Sequence, residues 1–157
     1  MCVQEGSWLR GVKSAGVMIG AVVALAGAIL VAAEEPTGDA KALQGTWSML
    51  SYIDEGAPDP QFDKATQVFD GANYRVEKDG KVIRKGEFRL DASKSPRQID
   101  LMPSIGPYKG KTLSGIYELT GDALHTCFPE PGQPRPTKFT SEKGSGCSEV
   151  KYRKKQG

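Results

Sequence analysis

The chain has 157 residues, and its 21 basic against 19 acidic side chains give a formal charge of +2. That balance makes no electrostatic case for nucleic-acid binding, which calls for a strongly basic face. Three cysteines and one histidine, at none of the usual ligand spacings, argue against structural zinc.

The first thirty-three residues differ in kind from the rest. Arg10 and Lys13 precede an uncharged run over 15–33, and Glu34 and Glu35 follow at once. A positive n-region before an apolar h-region marks a secretory leader, and Val31-Ala32-Ala33 offers small residues where a signal peptidase reads, so cleavage before Glu34 is expected. The run has nineteen residues, longer than the roughly 7–15 of an ordinary h-region and near the roughly 20 that span a bilayer. An uncleaved inner-membrane anchor is therefore the alternative. In both cases the domain lies outside the cytoplasm, periplasmic or secreted. Cys2 precedes the apolar run and so is not a lipid-accepting cysteine. Removing residues 1–33 also removes Glu5, Arg10 and Lys13, and what remains is nearly neutral.

Residues 34–42 read as a linker, with one helical turn at its end. The stretch 45–53 carries Trp47, Met49, Leu50, Tyr52 and Ile53, a strand with apolar residues on both faces, expected to be bent or covered on two sides. Residues 54–65 hold Gly56, Pro58 and Pro60 and predict a connection with a short helical turn across one barrel end. Two short strands follow around Asp70-Gly71.

Parity then registers the next hairpin. Tyr74 and Val76 share one face, and Val82, Phe88 and Leu90 are expected to share the inner face of the following strand. A three-residue loop, Lys78-Asp79-Gly80, sets Val76 opposite Val82 and Tyr74 opposite Arg84, whereas a two-residue Asp79-Gly80 turn would put the apolar sets on opposite sides. Arg84 is thus predicted to point inward, with Gly86 where a curved strand wants no Cβ.

Ile99 and Leu101 alternate inward along the next strand. A Gly121-Asp122 turn pairs Leu119 with Leu124, Tyr117 with Thr126 and Gly115 with Phe128, leaving Ile116, Glu118, His125 and Cys127 on the outer face. The Pro-rich stretch 129–146 is expected to drape over the barrel with Phe139 as its anchor. Cys147 opens the last strand, with Val150 and Tyr152 inward. The sum is an all-β, single antiparallel up-and-down barrel of about eight strands over 43–153, followed by a basic tail at 154–157.

Leu43-Gln44-Gly45-Thr46-Trp47, Gly86-Glu87-Phe88-Arg89-Leu90-Asp91, Ile99-Asp100-Leu101, Gly115-Ile116-Tyr117-Glu118-Leu119, Cys127-Phe128 and Arg135-Pro136-Thr137 occur in an order that resembles the uncharacterised lipocalin-like domain family abundant in Planctomycetes. The resemblance implies an exported lipocalin-like barrel and carries no established activity. The Gly45-x-Trp47 element also resembles the first-strand signature of lipocalins, in which the tryptophan closes the barrel base under a basic residue of the last strand. Arg153 is the partner that position suggests.

Arg84 is the residue the pattern singles out. A charge facing a barrel interior must be paired, hydrogen-bonded or wet, so Arg84 with Tyr74, Tyr117, Thr126 and Tyr152 forms a candidate ligand site; an Arg84 that snorkels at the mouth is the bland alternative. His125 opposite Glu118 lacks a nucleophile and reads as a solvent-side pair. Cys127 and Cys147 share an outward face and form either a disulfide or two separate thiols. No catalytic set and no cofactor or metal site is expected. The expected role is non-catalytic binding of a small apolar or amphipathic ligand within the barrel. The alternative is a filled barrel that meets an envelope protein partner through its surface.

Overall fold

The computed structural model describes residues 38–157. The leader, its cleavage site and the start of the linker lie outside the described residues. The chain begins with a short helix α1 (Gly38–Leu43) and enters β1 (Gly45–Asp54), which turns back through a two-residue strand β2 (Ala57–Pro58). A 3-10 turn over Pro60–Phe62 leads into β3 (Thr66–Asp70) and β4 (Asn73–Lys78). Then come β5 (Lys81–Asp91), β6 (Arg97–Pro103), β7 (Leu113–Thr120), β8 (Ala123–Pro129) and β9 (Cys147–Lys154).

Each long strand pairs antiparallel with the next, and β9 returns to β1, so β1 and β3–β9 close an eight-stranded up-and-down barrel. Closure leaves no long unpaired edge, while β2 merely extends one lip. Up-and-down order brings the start of β1 and the ends of β3, β5, β7 and β9 to one end, the base. The end of β1 and the starts of β5, β7 and β9 gather at the other, the mouth.

The base is solid. Trp47 is fully buried and donates Nε1–H to the Leu43 carbonyl at 2.8 Å, which ties α1 beneath the barrel. Phe69 meets Phe88 edge to face, with ring centroids 4.9 Å apart. Tyr117 donates its hydroxyl to Asp39 at 2.7 Å, and Arg97 reaches the same carboxylate at 2.8 Å. The basic residue over Trp47 is Lys154, not Arg153. Tyr152 points inward, so alternation sends Arg153 out to Asp122 and brings Lys154 over the indole at 5.4 Å.

Two bulges bend the barrel where simple alternation fails. In β1 the pairing with β9 slips between Met49 and Ser51, which leaves Leu50 61% exposed and lets both Met49 and Tyr52 face inward. In β5 the predicted register is corrected. Asp79 and Gly80 both take positive φ, 51° and 74°, in a two-residue turn that pairs Lys78 with Lys81 and Glu77 with Val82. An extra residue, Ile83, then restores parity by setting Val76 opposite Arg84 and Tyr74 opposite Gly86. Val82 is consequently outside and exposed, while Arg84 still points in, opposite Val76 rather than Tyr74.

The β7–β8 hairpin follows the predicted pairing, including Tyr117 with Thr126. Residues 130–146 form a strap over the outer face of β6–β8. Arg135 bonds the Asp100 carboxylate at 2.7 Å and the Gly115 carbonyl, and Phe139 stacks on His125 with centroids 4.5 Å apart. The strap buries Ile116 and Cys127 although both face outward.

Candidate functional site

Above the solid base, the mouth encloses a cavity of about 80 Å³. Its walls come from separate elements. Tyr52 is brought in by the β1 bulge and Arg84 by the β5 bulge. Phe62 is folded over the end by the Pro60–Phe62 turn, whose start Asp59 caps by accepting from the Gln61 N–H at 2.9 Å. Tyr108 stands in the loop between β6 and β7. Gln67, Tyr74 and Tyr152 line the lower part, while Asp54, Asp59 and Glu130 line the cavity among the connections at the open end.

Arg84 occupies an aromatic recess. Tyr52 and Phe62 stack at 4.0 Å and 15°, and the guanidinium carbon lies 4.4 Å from the Phe62 centroid and 5.8 Å from that of Tyr108. Such contacts favour a cation. Arg84 donates one long bond of 3.4 Å to the Tyr52 hydroxyl. None of the ion pairs among the described residues includes Arg84, Asp54, Asp59 or Glu130. Most of the guanidinium donors are therefore without a protein acceptor among the described residues, and Arg84 lines the cavity.

Titration follows from the same surroundings. Partial burial raises the Asp54 carboxyl above its ordinary value, the neighbouring charges of Asp59, Glu55 and Glu130 raise it further, and Arg84 opposes them. Burial pushes Tyr74 up to about 12, again against Arg84. At the floor the Tyr152 hydroxyl donates to Gln67 Oε1 at 3.0 Å. Gln67 is only 4% exposed and lines the cavity, and its Nε2 donates to no acceptor among the described residues.

Of the predicted ligand residues, Arg84, Tyr74 and Tyr152 meet at this cavity. Tyr117 and Thr126 do not. Tyr117 faces inward as expected but sits at the base on Asp39, and Thr126 is buried beside Tyr152 with no partner for its hydroxyl. Sequence reasoning missed Tyr52, Phe62, Tyr108 and Gln67. The bulge hid the first, and the second and third lie in Pro- and Gly-rich connections where alternation says nothing.

The outer-face groups are arranged differently. His125 is opposite Glu118 in register, yet its Nε2 pairs with Glu149 at 2.7 Å under Phe139. Cys127 and Cys147 are both free thiols. They are diagonal neighbours, since Cys127 faces Glu149 and Cys147 faces Pro129. Diagonal positions lie about 7–8 Å apart, at the limit of what a disulfide spans, whereas a hydrogen bond between the thiols is within reach. Burial raises the Cys127 thiol to about 11. Among the described residues no group of three or more His, Cys, Asp or Glu side chains is placed to hold a metal ion.

The barrel and its mouth define a closed β-barrel with a small polar-aromatic pocket at one end. Comparison with protein-family models, with curated proteins and with solved structures gave no match.

Proposed function

We propose that the chain is an exported, non-catalytic binding module of lipocalin-like type, which takes a small amphipathic molecule at its mouth and orients the polar group on Arg84. One observation carries this reading: an inward guanidinium, cradled by aromatic rings and without a carboxylate partner, faces a cavity open at one end. A carboxylate or similar acceptor completes its hydrogen bonding, and Tyr52, Phe62 and Tyr108 cover the apolar part. The Trp47–Lys154 contact at the base supports the lipocalin-like resemblance. An engineered cavity of ~150 Å³ holds one benzene, so about 80 Å³ suits a small molecule or a headgroup and not a folded acyl chain.

Calorimetric titration with butyrate, hexanoate and benzoate tests the reading, with Arg84→Met as the control. Saturable binding that Arg84→Met abolishes is expected, with no uptake of fluorescent long-chain fatty acids. The solid base favours a second reading, in which the barrel is scaffold and the strap meets an envelope protein partner. Silence with all three acids is the result that favours it. Amino-terminal sequencing of the exported protein tests the leader, with Glu34 expected as the first residue.

A further inference from the structure

The charges around the mouth define the ligand more narrowly than its size does. The lower part of the cavity offers two largely unengaged donor groups: the Arg84 guanidinium, held on Phe62 with one long bond to Tyr52, and Nε2 of the nearly buried Gln67, whose Oε1 is already engaged by Tyr152. At the same cavity stand Asp54 and Glu130, which take part in no ion pair among the described residues, and Asp59, engaged only in capping its turn. Three carboxylates against one guanidinium leave the lined space net negative. A plain carboxylate would satisfy the floor while adding a fourth negative charge below the rim. A simple cation would satisfy the rim and leave the floor donors empty and close to a like charge.

From this we infer that the mouth recognises a small zwitterion of the amino-acid class, with its carboxylate on Arg84 and Gln67 and its ammonium toward Asp54 and Glu130. The inference rests on the small-ligand reading above and names the ligand class for that site. Charge-assisted bonds to both ends fix orientation in a way that apolar contact alone does not. Because Asp54 and Glu130 are exposed, their contribution is modest and falls with salt.

The test compares pairs of equal chain length: β-alanine with propionate and γ-aminobutyrate with butyrate, titrated calorimetrically into the protein as the cell exports it. At least one amino acid is expected to bind roughly ten-fold more tightly than its deaminated counterpart, the magnitude expected of two exposed ion pairs. Asp54→Asn with Glu130→Gln should erase that advantage, and affinity for the plain acid should rise slightly as two like charges leave the rim. Raising salt should likewise erase the advantage. Equal affinities within both pairs overturn the zwitterion and leave the amphipathic-ligand reading standing. No binding of any of the four, with hexanoate and benzoate also silent, overturns both. Thermal unfolding of each variant confirms that the barrel is intact; both rim positions are solvent-exposed, so a folded variant is expected.

Discussion

Lys154 holds its ammonium 5.4 Å from the centroid of the Trp47 ring and donates to the Ala42 carbonyl at 2.7 Å, so one side chain of the last strand closes the barrel at its seam and pins α1 beneath it. The contact combines a cation over an aromatic face with a charged hydrogen bond to a carbonyl near the end of a helix. Lys154→Ala should cost about 1–2 kcal/mol of stability. Arg153→Ala, which loses only an exposed pair with Asp122, should stay within about 0.5 kcal/mol. Urea denaturation of the two variants side by side measures the difference, and equal midpoints would show that Lys154 is no more than a solvated neighbour.

Gly86 and Gly115 are fixed by close approach. A Cβ on Gly86 would lie 2.1 Å from the Met102 carbonyl oxygen, and one on Gly115 would lie 2.3 Å from the Phe128 ring and 2.7 Å from the Cys127 carbonyl. Alanine at either position should destabilise by about 1–3 kcal/mol, as overpacking does. Gly86→Ala should be the worse, because backbone yields less than a ring. Thermal melts of both variants check the order.

These glycines also show how much the sequence reveals. Gly86 is legible because inward residues of a curved strand run out of room, and Gly115 because a two-residue turn fixes Phe128 opposite it. Bulges are not legible in this way. One extra residue at Leu50 or Ile83 flips the parity of everything beyond it, and neither residue type announces a bulge. Tyr52 was therefore missed, and Val82 was expected in a core it never reaches. Alternation has a second blind spot, since it assigns a face but not a height along the barrel axis. Tyr117 and Arg84 both point inward, yet one meets Asp39 at the base and the other lies in the mouth. Phe62 and Tyr108 reach the site from irregular connections, whose course depends on Pro, Gly and capping contacts and not on period.

Arg84 should matter for binding and not for folding. A half-buried guanidinium without a carboxylate partner gains little from the folded state, and a long apolar side chain fills the same recess. Arg84→Met should keep or raise the melting temperature while abolishing affinity for the small acids. A large fall in melting temperature would show instead that the Phe62 and Tyr52 contacts hold the mouth together.

The Asp54 carboxyl gives the mouth a pH signature. Its folded-state value lies above the ordinary value of 3.8, so between the two the folded chain binds more protons than the unfolded one. Stability contributed by this group is present at low pH and declines as pH rises through the raised value. Asp54→Asn removes that dependence. The variant should therefore gain stability over the wild type near pH 7, and the gain should shrink toward pH 4. Melting temperatures of both proteins across this range decide the matter, and a gain that grows on acidification would mean that Asp54 is stabilised, not strained, by its neighbours.

Cys127 reports on the strap. Its side chain is fully buried, donates to the Thr140 carbonyl at 3.5 Å and ionises only near 11, so at pH 8 thiolate is scarce and access is blocked. Cys147 is partly exposed and should be alkylated first. What keeps Cys127 covered is the strap, held by Arg135 on Asp100 and on the Gly115 carbonyl and by Phe139 on His125. Arg135→Ala removes the first anchor and leaves the barrel strands unaltered. Iodoacetamide labelling followed by peptide mass mapping should show slow modification of Cys127 in the wild type and at least roughly ten-fold faster modification in the variant, since loss of about 1.4 kcal/mol of local protection raises the open population by that factor. If the two rates agree while global stability is unchanged, the strap opens elsewhere, and Phe139 becomes the anchor to remove.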